Sequence, residues 1–78
     1  MSIDKKVYRR LIRDGYAVKV DFPDIRKYKK YIKDDLTVTT WLSVGNKLHI
    51  KFEGRLNDYD IDIVTYRQFM KLFNEYFQ

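Results

Sequence analysis

The stretch TVTTWLSVGNKLHIKFEGRLNDYDIDIV, residues 37–64, decides the fold. Apolar and polar residues alternate in it over three runs, 37–44, 48–53 and 59–64, which are separated by loops containing Gly45 and Gly54. Alternation with a period of two is typical of strands that bury one face. The stretch therefore predicts an antiparallel meander of three strands.

The apolar positions also predict the register of the meander. Placing Val38, Leu42 and Val44 on the same face as Leu48, Ile50 and Phe52 predicts that Val44 pairs with Leu48 across a three-residue loop. This register puts Trp41 on the polar face, whereas a two-residue loop would turn it inward. The predicted pairs of the second hairpin are Leu48 with Ile63, Ile50 with Ile61, Lys51 with Asp60, and His49 with Asp62.

Three helices are predicted around the strands. Residues 4–14 carry apolar side chains at helical spacing before Gly15, and residues 24–33 follow a potential N-cap, Asp24. The last helix begins at Thr65, which forms a capping-box pattern with Gln68. Residues 16–22 alternate like a strand.

These elements predict a small single α+β domain over residues 1–78. Their order is α-β-α-β-β-β-α, with a meander of three strands, or four if residues 16–22 join it, packed on the C-terminal helix. A chain of 78 residues is long enough for one core and too short for two. Phe73 is predicted to lie in that core.

The order α-β-β-β-α predicted for residues 24–78 resembles that of double-stranded RNA-binding domains. Those domains carry a basic lysine cluster at the start of their last helix. Here that position reads TYRQFMK, residues 65–71, and the basic charge lies on the preceding helices instead.

Positive charge is concentrated in the first half of the chain. Residues 1–33 hold eleven Lys or Arg and four Asp, whereas residues 34–78 hold five Lys or Arg and seven acids, so that +7 and −2 give the net charge of +5. Rows of cations on a helix bind phosphates by displacing counterions. The candidate binding residues are Lys5, Lys6, Arg9, Arg10 and Arg13 on the first helix, Arg26, Lys27, Lys29, Lys30 and Lys33 on the second, and Tyr28 and Tyr31 as stacking residues. The alternative is that both faces are merely solvated.

Trp41 is the second candidate feature. If it is exposed beside Lys51, it forms an anchor for a partner or a stacking surface for a base. If a helix covers this face of the sheet, Trp41 is buried instead.

Nothing in the sequence predicts catalysis, a cofactor or a small-molecule substrate. His49 is the only histidine, and no nucleophile motif or glycine-rich phosphate loop accompanies it. Asp58, Asp60 and Asp62 alternate on one strand, which is more typical of a wet strand face than of a metal site. We therefore predict no enzyme activity and no metal.

The composition limits the cellular context. The chain has no cysteine, which favours a cytoplasmic location, and no apolar run long enough to enter a membrane. Abundant Lys, Ile, Tyr and Asn with a single alanine indicate AT-rich coding, as in low-GC bacteria and their phages.

Two functional hypotheses follow. The first is a nucleic-acid-binding accessory or regulatory protein that uses its basic helices. The alternative is a protein-binding regulator or inhibitor from a phage or mobile element, such as an anti-CRISPR protein, that contacts an acidic protein surface. The sequence does not distinguish RNA from DNA and does not give the oligomeric state.

Overall fold

The computed structural model describes residues 2–22, 24–45, 47–54 and 59–76, and of Tyr59 and Tyr76 it describes the backbone only. It contains two helices and five strands in the order α-β-β-β-β-β-α. The elements are α1 (Ile3–Arg13), β1 (Ala17–Phe22), β2 (Tyr28–Lys33), β3 (Leu36–Ser43), β4 (Lys47–Glu53), β5 (Tyr59–Ile63) and α2 (Tyr66–Tyr76). The α+β class is confirmed, but the predicted order is wrong, because residues 28–33 form a strand.

The helix α1 ends as its sequence predicts. Gly15 has a φ of 95°, the left-handed conformation that glycine adopts at low cost. Its amide donates to the carbonyl of Ile12, and the amide of Tyr16 donates to that of Leu11. This double hydrogen bond is a Schellman motif, which directs the chain from α1 into β1.

The segment predicted as a second helix instead forms a turn followed by β2. The carboxylate of Asp24 does accept backbone amides, those of Arg26 at 3.0 Å and Lys27 at 2.9 Å, but it caps a turn rather than a helix. Lys27 then has a φ of 51°, which ends any right-handed helical path. The strand that follows pairs antiparallel with β1 on one side and β3 on the other.

The five strands form one antiparallel sheet in the order β1-β2-β3-β4-β5. The predicted register of β4 and β5 is confirmed at Leu48–Ile63 and Ile50–Ile61. The register of β3 and β4 is shifted by two residues from the prediction, because Leu42 rather than Val44 pairs with Leu48. A shift of two preserves the faces. The side chain of Trp41 therefore points to the face of the sheet that is not covered by the core, as predicted. Val44 lies in the loop after β3.

The core lies between one face of the sheet and both helices. Val7 and Leu11 of α1 and Phe69 and Phe73 of α2 are buried there. The sheet contributes buried residues of four strands, which are Tyr31, Leu36, Val38, Leu48, Ile50, Phe52 and Ile63. Among the described elements, no helix packs on the opposite face, which we call the open face.

The helix α2 begins with the predicted capping box. The amide of Gln68 donates to the Thr65 hydroxyl at 3.2 Å, and the amide of Thr65 donates to the Gln68 side-chain oxygen at 3.0 Å. These bonds satisfy free amides of the first turn. Neither α1 nor α2, the helices of the described residues, is long and apolar enough to cross a membrane.

Truncation of Phe73 tests the position of the core. This side chain is 2% exposed. Phe73→Ala is expected to lower the free energy of unfolding by about 3–5 kcal/mol, because it removes buried area and leaves a cavity. The control Asn74→Ala changes the neighbouring exposed residue and should shift stability by less than about 0.5 kcal/mol. Equal denaturation midpoints for the two variants would contradict this core.

Gly54 is expected to be the least replaceable glycine. A Cβ at Gly54 would overlap the carbonyl oxygen of Asp35, whereas a Cβ at Gly45 would meet no atom within 4 Å. Both residues have positive φ values, 78° at Gly45 and 138° at Gly54, so alanine is strained at either position and meets the overlap only at Gly54. Gly45→Ala should cost about 1–2 kcal/mol. Gly54→Ala should cost about 1–3 kcal/mol more, measured by chemical denaturation. Equal losses would show that the overlap is relieved.

Candidate functional site

The outward side of α1 carries the densest group of cations. Val7 and Leu11 face the core, so residues spaced three and four apart on the other side of the helix face solvent. Lys5, Lys6, Arg9 and Arg13 are exposed there, and Arg10 is half-buried. We call these five residues the α1 cationic face.

Arg10 serves the fold as well as this face. Its Nε lies 3.4 Å from the carboxylate of Asp14, and its guanidinium lies 5.5 Å from the ring centre of Phe73. The Nε atom is buried and makes no hydrogen bond. Arg10 thereby connects α1 to α2.

A shallow hollow of about 230 Å³ lies at the α1 cationic face. Four cations and one aromatic residue line it, namely Lys6, Arg9, Arg10, Arg13 and Tyr66. No carboxylate is among these lining residues. Guanidinium groups donate paired hydrogen bonds to phosphate oxygens, so the hollow suits a phosphate. Tyr66 was not predicted as a site residue, because only the packing of α2 beside α1 brings it there.

The cations predicted on a second helix do not form a second cationic face. Because residues 28–33 form a strand, alternate side chains point to opposite faces of the sheet. Lys29 and Lys33 lie on the core side, 5.8 Å and 5.6 Å from the ring centres of Tyr8 and Tyr16. Lys33 also donates to the carbonyl of Asp14 at 2.6 Å. Lys30 lies on the open face, and Arg26 lies in the preceding turn.

Lys27 is engaged with Asp4 of α1. Its Nζ lies 3.5 Å from the carboxylate of Asp4, which is 8% exposed. Burial by itself raises the pKa of Asp4, but the hydrogen bond with Ser2 and the charge of Lys27 outweigh it, so the pKa lies below the ordinary 3.8. Asp4 is therefore ionised at neutral pH. Its negative charge offsets the positive charge of Lys27, so Lys27 is not expected to bind phosphate.

Tyr31, predicted as a stacking residue, is in the core. It is 1% exposed and pairs across the strands with Val38. Burial strongly raises the pKa of its hydroxyl, which keeps the group neutral. A buried ring has no face available to a base, so this assignment is wrong. The alternation of β2 accounts for it, because Tyr31 points to the side opposite Tyr28.

The open face carries a row of rings across four strands. Phe22, Tyr28, Trp41 and His49 follow one another with ring centres 6.0, 6.2 and 4.1 Å apart. Trp41 is half-buried and lies nearly parallel to both neighbours, so its faces are turned towards Tyr28 and His49. The sequence pattern does not predict this row of rings, because it favours a helix over residues 24–33.

Lys51 is not the cross-strand partner of Trp41. It pairs with Thr39, two residues before Trp41 in β3, and its Nζ lies 4.0 Å from Glu53. The partner of Trp41 is His49. Lys51 is thus a neighbour of the row of rings rather than part of it.

His49 contacts the two carboxylates that the sequence places opposite β4. Its Nδ1 lies 2.6 Å from Asp62, and its Nε2 contacts Asp60. Within the described residues no group of three or more metal-ligating side chains is arranged to hold a metal ion. Asp58 lies outside those residues.

Comparison with known proteins adds no family or function. No protein family matches the chain, and no match is found among curated proteins or solved structures. Functional conclusions therefore depend on the charges, burial and distances of the chain's own residues.

The pairing of Asp4 with Lys27 predicts a pH-dependent contribution to stability. Because folding lowers the pKa of Asp4, its charge stabilises the fold above about pH 4, and the contribution is lost as pH falls through the folded pKa. Asp4→Asn should therefore destabilise the protein at pH 7 by about 1 kcal/mol, since Lys27 is partly solvent-screened. The deficit should disappear in acid, measured by urea denaturation across pH.

The matched control is Asp34→Asn, an exposed turn residue. It should change stability at pH 7 by less than about 0.5 kcal/mol. If Asp4→Asn behaves like this control, Lys27 is free to bind an external anion.

Proposed function

We propose that this chain is a non-enzymatic nucleic-acid-binding protein, with an accessory or regulatory role, that holds phosphates on the α1 cationic face. The observation that carries the proposal is the hollow in which Lys6, Arg9, Arg10 and Arg13 converge beside Tyr66. Several cations that share one concave site attract a polyanion more strongly than the same charges spread over a surface.

The charge pattern of the whole chain supports a polyanionic ligand. The two acids of α1 and its C-cap are already engaged, Asp4 with Lys27 and Asp14 with Arg10. The exposed cations of α1 are therefore not neutralised within the helix. Their attraction for phosphates adds to that of a net charge of +5.

The length of the α1 cationic face fits a nucleic-acid strand. Lys6 and Arg13 are seven residues apart, or about 10 Å along the helix axis. A nucleic-acid strand presents one phosphate per about 3.4 Å of its axis, so this distance corresponds to about three phosphates. Tyr66 adds a flat ring beside them, which can stack on a base or sugar.

A structural role for some of these cations is the simpler alternative. Arg10 and Arg13 lie in the last turn of α1, where positive charge stabilises the helix dipole. Lys6 and Arg9 lie outside that turn and contact no acid in the described structure, so the dipole does not account for them. They are the most informative positions for a test.

A binding role accords with the single histidine. Both ring nitrogens of His49 face carboxylates, which leaves neither nitrogen directed at a substrate. The lack of cysteine supports the cytoplasmic location that we propose with this function. The second candidate function, a protein-binding regulator or inhibitor, is favoured by a different surface, the exposed apolar residues around Trp41.

The test removes three cations of α1 together. Lys6→Gln, Arg9→Gln and Arg13→Gln lower the net charge from +5 to +2. The triple variant should bind labelled mixed-sequence oligonucleotides about tenfold or more weakly near 50 mM salt, in fluorescence anisotropy with single strands and duplexes. The slope of log K against log salt should flatten by about 2–3, since each phosphate contact contributes about 0.7–0.9.

The matched control removes three charges elsewhere. Lys19→Gln, Arg67→Gln and Lys71→Gln change exposed residues of β1 and α2 and leave the same net charge. This control should lose far less affinity, and both triple variants should keep their melting temperatures because exposed charges contribute little to folding. Equal losses in the two variants would show that only net charge matters. No binding by the wild-type protein near about 50 mM salt would refute the proposal.

A further inference from the structure

One end of the sheet exposes apolar side chains around a hollow beside Trp41. Ile25 is 91% exposed and Val44 is 92% exposed, although both are large aliphatic residues. Together with Trp41, Leu42 and Arg26 they line a hollow of about 490 Å³. Single exposed apolar residues are ordinary, but a group of them around a concavity marks an interaction site.

The turn that presents Ile25 is held in place. The carboxylate of Asp24 accepts the amides of Arg26 and Lys27, and the carbonyl of Arg26 accepts the amide of Leu42 at 2.6 Å. Ile25 is thus kept in water by an ordered turn that is bonded to β3. A surface held in its binding conformation loses less entropy when a ligand binds.

A second hollow lies on the other side of Leu42. It has a volume of about 500 Å³ and is lined by Ile3, Leu42, Val64, Ser2, Asp4 and Lys27. Val64 is 51% exposed. Leu42 lines both hollows, and we call the two hollows together the apolar end. It shares no lining residue with the hollow at the α1 cationic face.

We propose that the apolar end binds a protein segment whose apolar anchor side chains are flanked by carboxylates. Trp41, Tyr28 and Arg26 belong to the residue types that contribute most to protein interfaces. The two hollows supply pockets for anchor side chains. This inference goes beyond the proposed binding of nucleic acid and does not depend on it.

Charge complementarity selects an acidic partner. Arg26 is exposed and lines the first hollow, and the exposed Lys47 pairs with Ser43, which lines the same hollow. Among the described residues that line the two hollows, Asp4 is the one acid, and it is paired with Lys27. The free charge around these hollows is therefore positive. Positive residues here favour carboxylates on the partner.

The same charges argue against a second copy of this chain. A two-fold interface brings identical patches together, so the cations around the apolar end would face one another. Nucleic acid is also a poor occupant. Ile25 and Val44 have no ring to stack on a base, and the faces of Trp41 are turned towards Tyr28 and His49.

The experiment selects binders from a displayed library of short random peptides against the intact protein. Selected sequences should be enriched in Leu, Phe or Trp together with Asp or Glu. One selected peptide is then synthesised with a fluorescent label, and its affinity is measured by anisotropy against the wild-type protein and its variants. NMR shift changes caused by this peptide should centre on Ile25, Trp41 and Val44.

The decisive variant is Ile25→Asp combined with Val44→Asp. Both positions are almost fully exposed, so the fold should be retained. The double variant should weaken peptide binding by about tenfold or more, as expected for the loss of central apolar contacts. The control Ile12→Asp changes a partly exposed apolar residue near the other end of α1 and should leave affinity within about twofold of wild type. Arg26→Gln with Lys47→Gln should weaken binding and reduce its salt dependence.

Several outcomes would overturn the proposal. These are the absence of any enriched apolar and acidic sequence, enrichment of basic peptides, and equal affinity of the double Asp variant and wild type. Self-association in sedimentation that the double Asp variant abolishes would assign the surface to a second copy instead. The triple α1 variant should lose far less peptide affinity than the double Asp variant, and the double Asp variant should lose far less oligonucleotide affinity than the triple α1 variant. These two results distinguish a failure of the nucleic-acid proposal from a failure of the peptide proposal.

Discussion

The burial of Phe69 and Phe73 against one face of the sheet is the interaction on which the rest of the structure depends. A chain this short has few large side chains, and aromatic residues bury about 150–250 Å² each. Both phenylalanines come from α2, and α1 adds Val7 and Leu11 to the same layer. With both helices on one face, the other face carries no helix within the described residues. The cations of α1 point away from the sheet for the same reason.

Much of this architecture could be predicted from local patterns. The ends of α1, the capping box of α2 and the register of β4 with β5 depend on neighbouring residues or on apolar faces that align in one way only. The segment 24–33 was predicted wrongly because its apolar residues fit a helical spacing equally well. Its structure depends on pairing with strands on both sides, a tertiary effect that overrides local propensity. The left-handed Lys27 has no clear sequence signal, since lysine rarely adopts that conformation.

The candidate site could be predicted only in part, because it too depends on contacts between distant segments of the chain. Helical spacing alone places the cations on one side of α1, but it does not show that Tyr66 lies beside them. Alternation along β2 separates Lys30 from Lys29 and Lys33, so the second cationic face does not exist. Exposed Ile25 and Val44 could not be predicted, because an apolar residue in a sequence pattern is normally assigned to the core. Their exposure depends on a turn and a loop whose geometry is set by distant contacts, such as that between Arg26 and Leu42.

The contact between Asp4 and Lys27 determines how the two surfaces relate. It fixes the first turn of α1 to the turn that carries Ile25, so the apolar end has a set orientation relative to the α1 cationic face. The α1 cationic face uses the side of the helix turned away from this contact. The hollow at the α1 cationic face shares no lining residue with those of the apolar end, so the two proposed sites are built from different residues. If both proposals hold, the chain is suited to bring a nucleic acid and an acidic protein together, with a fixed geometry between them.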